Sequence, residues 1–173
     1  MSNSQPDANP IKLAGRVAAN VELQTIALRS LIARFEGDPL APPQFPPSGH
    51  IQLSSGHQVA WQIRQEERFL DVRISFSTQG KEKATNLERL RVDCELTLRY
   101  VLSPSLDVTE EHFKHFANLN AVVNAWPYYR EAVQNCISRM GLPTLVLPLY
   151  RLPQKAKALQ STSPDKEKGK ANE

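Results

Sequence analysis

Glycine is scarce in this 173-residue chain, seven against thirteen prolines, and none of the seven falls in a GxGxxG, GxxxxGK or GxSxG pattern. Without turns of that kind to cradle a phosphate or lift a nucleophile, nucleotide-dependent work is not expected. Cysteine is nearly absent as well. Cys94 and Cys136 each fall in the apolar phase of a regular segment, where a free thiol behaves as a small buried hydrophobe, so the expected setting is a reduced cytoplasmic one. No eighteen apolar residues run together, and the opening MSNSQPDANPIK has no basic start followed by an apolar stretch. Neither membrane insertion nor signal-peptide export is expected. Nor does either sign of charge dominate: the net value is +3, too little to imply nucleic acid unless the cations gather on one face.

What the chain does have is alternation. Leu90, Val92, Cys94, Leu96, Leu98, Tyr100 and Leu102 alternate with Arg91, Asp93, Glu95, Thr97 and Arg99, which predicts a long strand with one dry face. Val59, Trp61 and Ile63, a charged turn over 65–68, then Leu70, Val72, Ile74 and Phe76 predict an antiparallel hairpin, followed by a polar connection containing Gly80 and Lys81. Val21 to Glu36 keeps neither period cleanly, and its β-branched content with a shift of phase suggests a bulged strand. A short amphipathic helix precedes it, capped by Asn9 with Pro10 at its first position and ending near Asn20.

Downstream of Pro104, Asp107 and Glu110 have capping-box spacing for a helix whose Phe113, Phe116, Asn120 and Val123 share a face. A second helix is expected from Trp126, with Pro127 in its first turn, ending at Gly141 and Pro143. Three or four antiparallel strands followed by two helices make an α+β domain with the helices on the apolar face of the sheet. Residues 1–10 read as a disordered arm, 11–153 as the domain, and 154–173, with five lysines against three acids, as a disordered basic tail.

Catalytic sets are hard to find. His112 and His115 stand three apart near Glu110 and Glu111 but lack the HExxH spacing of a zinc helix, so no metal and no cofactor is expected. Cys94, in a dry strand phase, should be an inert thiol. The polar side of the sheet mixes Arg64, Arg73, Arg91 and Arg99 with Asp71, Asp93 and Glu95 and offers no exposed aromatic platform, so a nucleic-acid role is not expected either.

Apolar side chains, by contrast, are in surplus. Leu40 and Phe45 sit in GDPLAPPQFPPSGH, a crossing with five of the thirteen prolines; Trp126, Tyr128 and Tyr129 lie where the two helices are expected to meet; and Leu145, Leu147, Leu149 and Tyr150 follow the last helix. They either seal the edges of the core or form an interface or groove for another chain.

The run HFANLNAVVNAWPYYREAVQNCISRMGLPTLVLPLYRL, His115 to Leu152, resembles the corresponding end of SecB-type protein-export chaperones. The likeness rests on Trp126, Pro127, Tyr128, Arg130, Glu131, Gly141, Pro143, Leu145, Leu147 and Pro148, and the upstream order of strand, proline-rich crossover, hairpin and long strand is similar. The resemblance implies a four-stranded antiparallel sheet with helices on one face, a homotetramer built as a dimer of dimers, and an ATP-independent holdase for unfolded or precursor polypeptides. It leaves open whether such a protein serves export or guards an antitoxin, as some SecB-like relatives do. Export members dock a basic segment of the translocase motor on an acidic surface; this chain is basic, which speaks against that partner. On this reading Leu40, Phe45, Val59, Trp61, Leu147, Leu149 and Tyr150 line the client groove. A non-chaperone oligomeric adaptor using the same apolar segments is the alternative.

Overall fold

The computed structural model describes residues 9–37, 50–104 and 106–151. Leu40, Phe45, most of the N-terminal arm and the basic tail lie outside the described residues. Asn9 accepts from the Ile11 N–H at 3.0 Å and caps α1, Pro10–Ala18, with Pro10 at the first position as expected, where its missing N–H costs nothing.

Four long strands follow: β1 Val21–Phe35, β2 Ile51–Arg64, β3 Phe69–Glu82 and β4 Glu88–Leu102. They form one antiparallel sheet in the order β1-β4-β3-β2. The strongest alternation in the sequence therefore sits in the middle of the sheet, where both neighbours are strands and one whole face must be dry. All seven inward residues of β4 are buried, and Leu70, Val72, Ile74 and Phe76 of β3 lie beside them. β1 is bulged as expected, with register shifts between Leu23 and Thr25 and between Leu28 and Ser30. β3 runs further than expected, through Gly80 and Lys81. A Cβ at Gly80 would sit 3.2 Å from Leu90 Cβ and 3.3 Å from Ile51 Cγ2, so the missing side chain is what lets three strands close there.

The helical layer departs from expectation in two ways. First, the cap is Thr109, whose backbone N–H donates to His112 Nδ1 at 3.2 Å with the Thr109 hydroxyl 2.8 Å away; Asp107 and Glu110 are not the capping pair. Second, no junction breaks the chain at Trp126. α2, Glu110–Phe116, passes through a π-helical turn, Ala117–Ala121, directly into α3, Val122–Arg139, with helical dihedrals at every joint. Trp126, Pro127, Tyr128, Arg130 and Glu131 are thus interior residues of α3. The wide turn inserts one residue into the helical period, so the buried stripe jumps from Phe113 and Phe116 to Ala121, Val122, Ala125, Trp126 and Tyr129, and Val123 faces outward. Pro127 is exposed, so the bond it denies the Val123 carbonyl is lost on the side where water replaces it.

Aromatic rings carry the contact between layers. Tyr129 stacks on Phe76, with centroids 4.5 Å apart and planes 11° from parallel, and its hydroxyl meets Thr78 Oγ1, which also bonds Ser55 Oγ at 2.7 Å. Tyr100 meets Phe116 edge-on at 5.0 Å, and its oxygen accepts from Asn124 at 3.1 Å. Both buried tyrosine hydroxyls have a partner, which is the condition for putting tyrosine in a core.

Candidate peptide-binding surface

Gly141, at φ 71°, ends α3 in the left-handed conformation, and the Leu142 N–H reaches back to the Ile137 carbonyl at 3.2 Å. From there to Arg151 the chain belongs to no helix or strand, and Pro143 and Pro148 could not supply ladder donors. Side chains of α3 secure it instead. Trp126 Nε1 donates to the Pro148 carbonyl at 2.9 Å, and Arg130 Nε donates to the Leu147 carbonyl at 2.7 Å. Four residues apart, they project from one helix face at the spacing two consecutive carbonyls need. Leu142 and Leu147 are pinned beneath, and the Tyr150 ring lies 5.3 Å from Trp126 and 5.8 Å from His57 on β2. The motif residues Trp126, Arg130, Gly141 and Pro143 therefore serve the architecture, since together they strap residues 142–151 across α3 toward β2.

This places the expected groove residues differently from one another. Leu147 is only 3 % exposed, so it is an anchor of the strap and offers no surface to another chain; its burial follows from the Arg130 bond that draws its carbonyl inward. Leu149 is 72 % exposed. Tyr150 is half-buried, and it shares the β2 flank with His57, whose pKa is held below its ordinary value by burial. Val59 and Trp61 continue along the same face of β2, half-buried, with Trp61 6.3 Å from the Phe113 ring of α2.

Periodicity misses other exposed apolar side chains. Leu53, toward the start of β2, is 42 % exposed, and Val146 stands out from the strap. On the opposite flank, Leu23, Leu28 and Leu31 of β1 point to the helix side of the sheet, opposite Tyr100, Leu96 and Cys94, yet remain open, Leu28 at 54 %. Their phase says buried. They stay open because the helical layer, which fully buries the inward residues at the centre of the sheet, is narrower than the four strands and leaves these β1 positions uncovered. Both β1 and β2 are edge strands whose outer N–H and C=O groups pair with no strand among the described residues.

The other sheet face carries charge. Asp71 accepts from Arg99 Nε at 2.7 Å, Arg99 Nη2 at 2.9 Å and Arg64 Nε at 2.9 Å, and the Arg99 bonds foremost hold its carboxyl below the usual carboxylate range. Arg91 pairs with Asp93 at 2.7 Å and Arg89 with Glu82 at 3.1 Å. Burial pushes the Cys94 thiol up to about 11 and raises Cys136, so neither is a nucleophile near neutrality. Among the described residues no three His, Cys, Asp or Glu side chains gather as metal ligands, and no helix is long and apolar enough to cross a membrane.

A four-stranded antiparallel sheet in this order, opened by a crossover from one edge to the other and covered on one face by a helix and its strapped tail, defines the SecB-like fold. Among solved structures, a SecB-like chaperone, Rv1957 of Mycobacterium tuberculosis, in complex with a ChAD peptide from the Rv1956 HigA1 antitoxin, has this architecture. It superposes with a TM-score of 0.70 over 83 % of this chain and 99 % of its own, at 22 % identity. A protein of unknown function from Streptococcus agalactiae covers 74 % of this chain and 96 % of its own, at 7 % identity and a TM-score of 0.43. No family model matches the chain, and no curated protein matches it in sequence.

Proposed function

We propose that this protein is an ATP-independent holdase that binds extended apolar segments of unfolded or precursor polypeptides and does no covalent chemistry. The observation that carries the reading is the β2 flank, where Leu53, Leu149 and the Tyr150 ring present apolar surface beside a strand edge that pairs with no strand among the described residues. An extended client can add backbone hydrogen bonds to that edge while its side chains cover the leucines. Burial contributes roughly 25 cal/mol per Å² and has no directional demand, so it holds many sequences. The strap lowers the entropic cost, since Trp126 and Arg130 already fix Leu149 and Tyr150 in place. Rv1957 was solved with a peptide bound, which supports a polypeptide client here too.

Assembly belongs to the same proposal. The β1 edge, unpaired among the described residues and carrying Leu23, Leu28 and Leu31, supports self-association into the homotetramer, a dimer of dimers. Two free cysteines, one buried and one half-buried, support a reducing, cytoplasmic setting. The test is to mix the protein in excess, without ATP, with a denatured aggregation-prone client and follow light scattering. Suppression supports the holdase. No effect from a folded oligomer sinks it and leaves a fixed-partner adaptor.

A further inference from the structure

The charged face of the sheet contains a hollow of about 370 Å³ whose charged lining is Arg29, Arg64, Arg73 and Arg99, with Asp71 as its one carboxylate; Trp61 of β2 also borders it. Its floor is low because Thr97 and Ala60 are small. Asp71 engages two of the four guanidinium groups, and Arg99 also lies 4.8 Å over the Phe69 ring, so Arg64 and Arg99 are held in place. Arg29, in the second β1 bulge, has among the described residues a 3.4 Å contact with Thr97 Oγ1 and no ion pair. Arg73 has no ion pair among the described residues. Two preorganised and two uncommitted guanidinium groups thus surround one depression, a geometry that takes carboxylates by paired N–H donors.

We propose that this hollow docks a short acidic segment of a partner polypeptide. Charge complementarity favours that occupant, and the limits of the patch favour it over a nucleic acid. One row further along the sheet Glu95 and Asp93 take over, so the cationic area is too short to follow a phosphate backbone. Phe69 lies under Arg99 and provides no stacking platform. The chain's own 154–173 segment carries five lysines against three acids and is repelled, so the carboxylates come from another chain. None of Leu53, Leu149 and Tyr150 lines the hollow, so an acidic partner and a client can be held together.

Fluorescence anisotropy tests this with fluorescein-labelled hexaglutamate, with hexaglutamine and hexathymidylate of the same length as controls. Wild type should bind hexaglutamate saturably, more weakly at high salt, and hexaglutamine not at all. Arg29→Gln with Arg73→Gln should weaken the peptide by about tenfold, and Arg29→Glu with Arg73→Glu by more, with circular dichroism unchanged and client protection intact. The glutamine pair preserves side-chain size and keeps the test open if the glutamate pair misfolds. No saturable hexaglutamate binding, equal binding by the glutamine pair, or hexathymidylate binding at least as tight each overturns the proposal. Peptide anisotropy and client protection are read separately, so failure of the holdase and failure of the acidic dock are distinguishable.

Discussion

Releasing the strap is the most direct perturbation of the proposed client surface. Trp126→Phe keeps the ring against Phe76 and Tyr150 but removes the donor to Pro148, a neutral bond worth about 1 kcal/mol. Arg130→Met keeps most of the stem and removes the charge-assisted bond to Leu147, worth about 2 kcal/mol. Together they should move the strap's opening equilibrium by roughly a hundredfold, since about 1.4 kcal/mol is a factor of ten. Leu142 and Leu147 still pack beneath, and the Phe76–Tyr129 stack is untouched, so global unfolding should shift far less than local opening. Limited chymotrypsin digestion reads this as faster cleavage at Leu149 and Tyr150, and hydrogen exchange as loss of protection confined to residues 142–151. Client affinity should fall, because Leu149 and Tyr150 must then be ordered on binding. Cleavage unchanged from wild type would refute the assignment of the strap to these two donors; cleavage at the core strands instead would show that they support the whole fold.

Three other outcomes follow from the geometry. Leu53→Asp with Leu149→Asp should weaken client binding by about a hundredfold, from roughly 1.5 kcal/mol or more per leucine no longer buried, and leave the oligomer's mass in light scattering unchanged; dissociation would move these residues to a subunit interface. Leu28→Asp with Leu31→Asp on β1 should do the reverse, lowering the mass while the isolated subunit keeps its circular dichroism, and an unchanged mass would place assembly elsewhere. Asp71 has its pKa lowered by Arg99 and Arg64, so its contribution is complete above the ordinary carboxylate pKa near 3.8 and is lost as pH falls through the lower folded value. Asp71→Asn should therefore flatten the acid limb of the stability curve, and an identical limb in the variant would show that the triad contributes nothing there.

Much of the architecture is legible in the residues because its determinants are local. Alternation over β3 and β4, the Asn9–Pro10 start of α1, the Gly141 stop and the phase slip in β1 all state which side of a segment is dry or where it ends, and each holds in three dimensions. The helical layer is harder to read. A π turn leaves no composition mark, so a regular 3.6 period carried past Ala117 assigns Val123 to the core and a spurious start to Trp126. Thr109 and His112 lack the usual acidic partner of a capping box, so the spacing of Asp107 and Glu110 is the more conspicuous signal and the wrong one.

By itself, then, the sequence determined the α+β class, the dry faces, the inert thiols and the SecB-like likeness around Trp126 to Pro148. Tertiary structure decided what stays open. Leu28 and Val92 share an apolar phase, but one is on an edge strand and the other under helices, and only the strand order β1-β4-β3-β2 with a narrower helical layer separates them. Likewise Leu147 and Leu149 are two residues apart in an irregular segment, and the donors that bury one and expose the other come from α3. Hydrophobic phase is a property of neighbours in sequence; solvent access depends on which distant elements arrive to cover them.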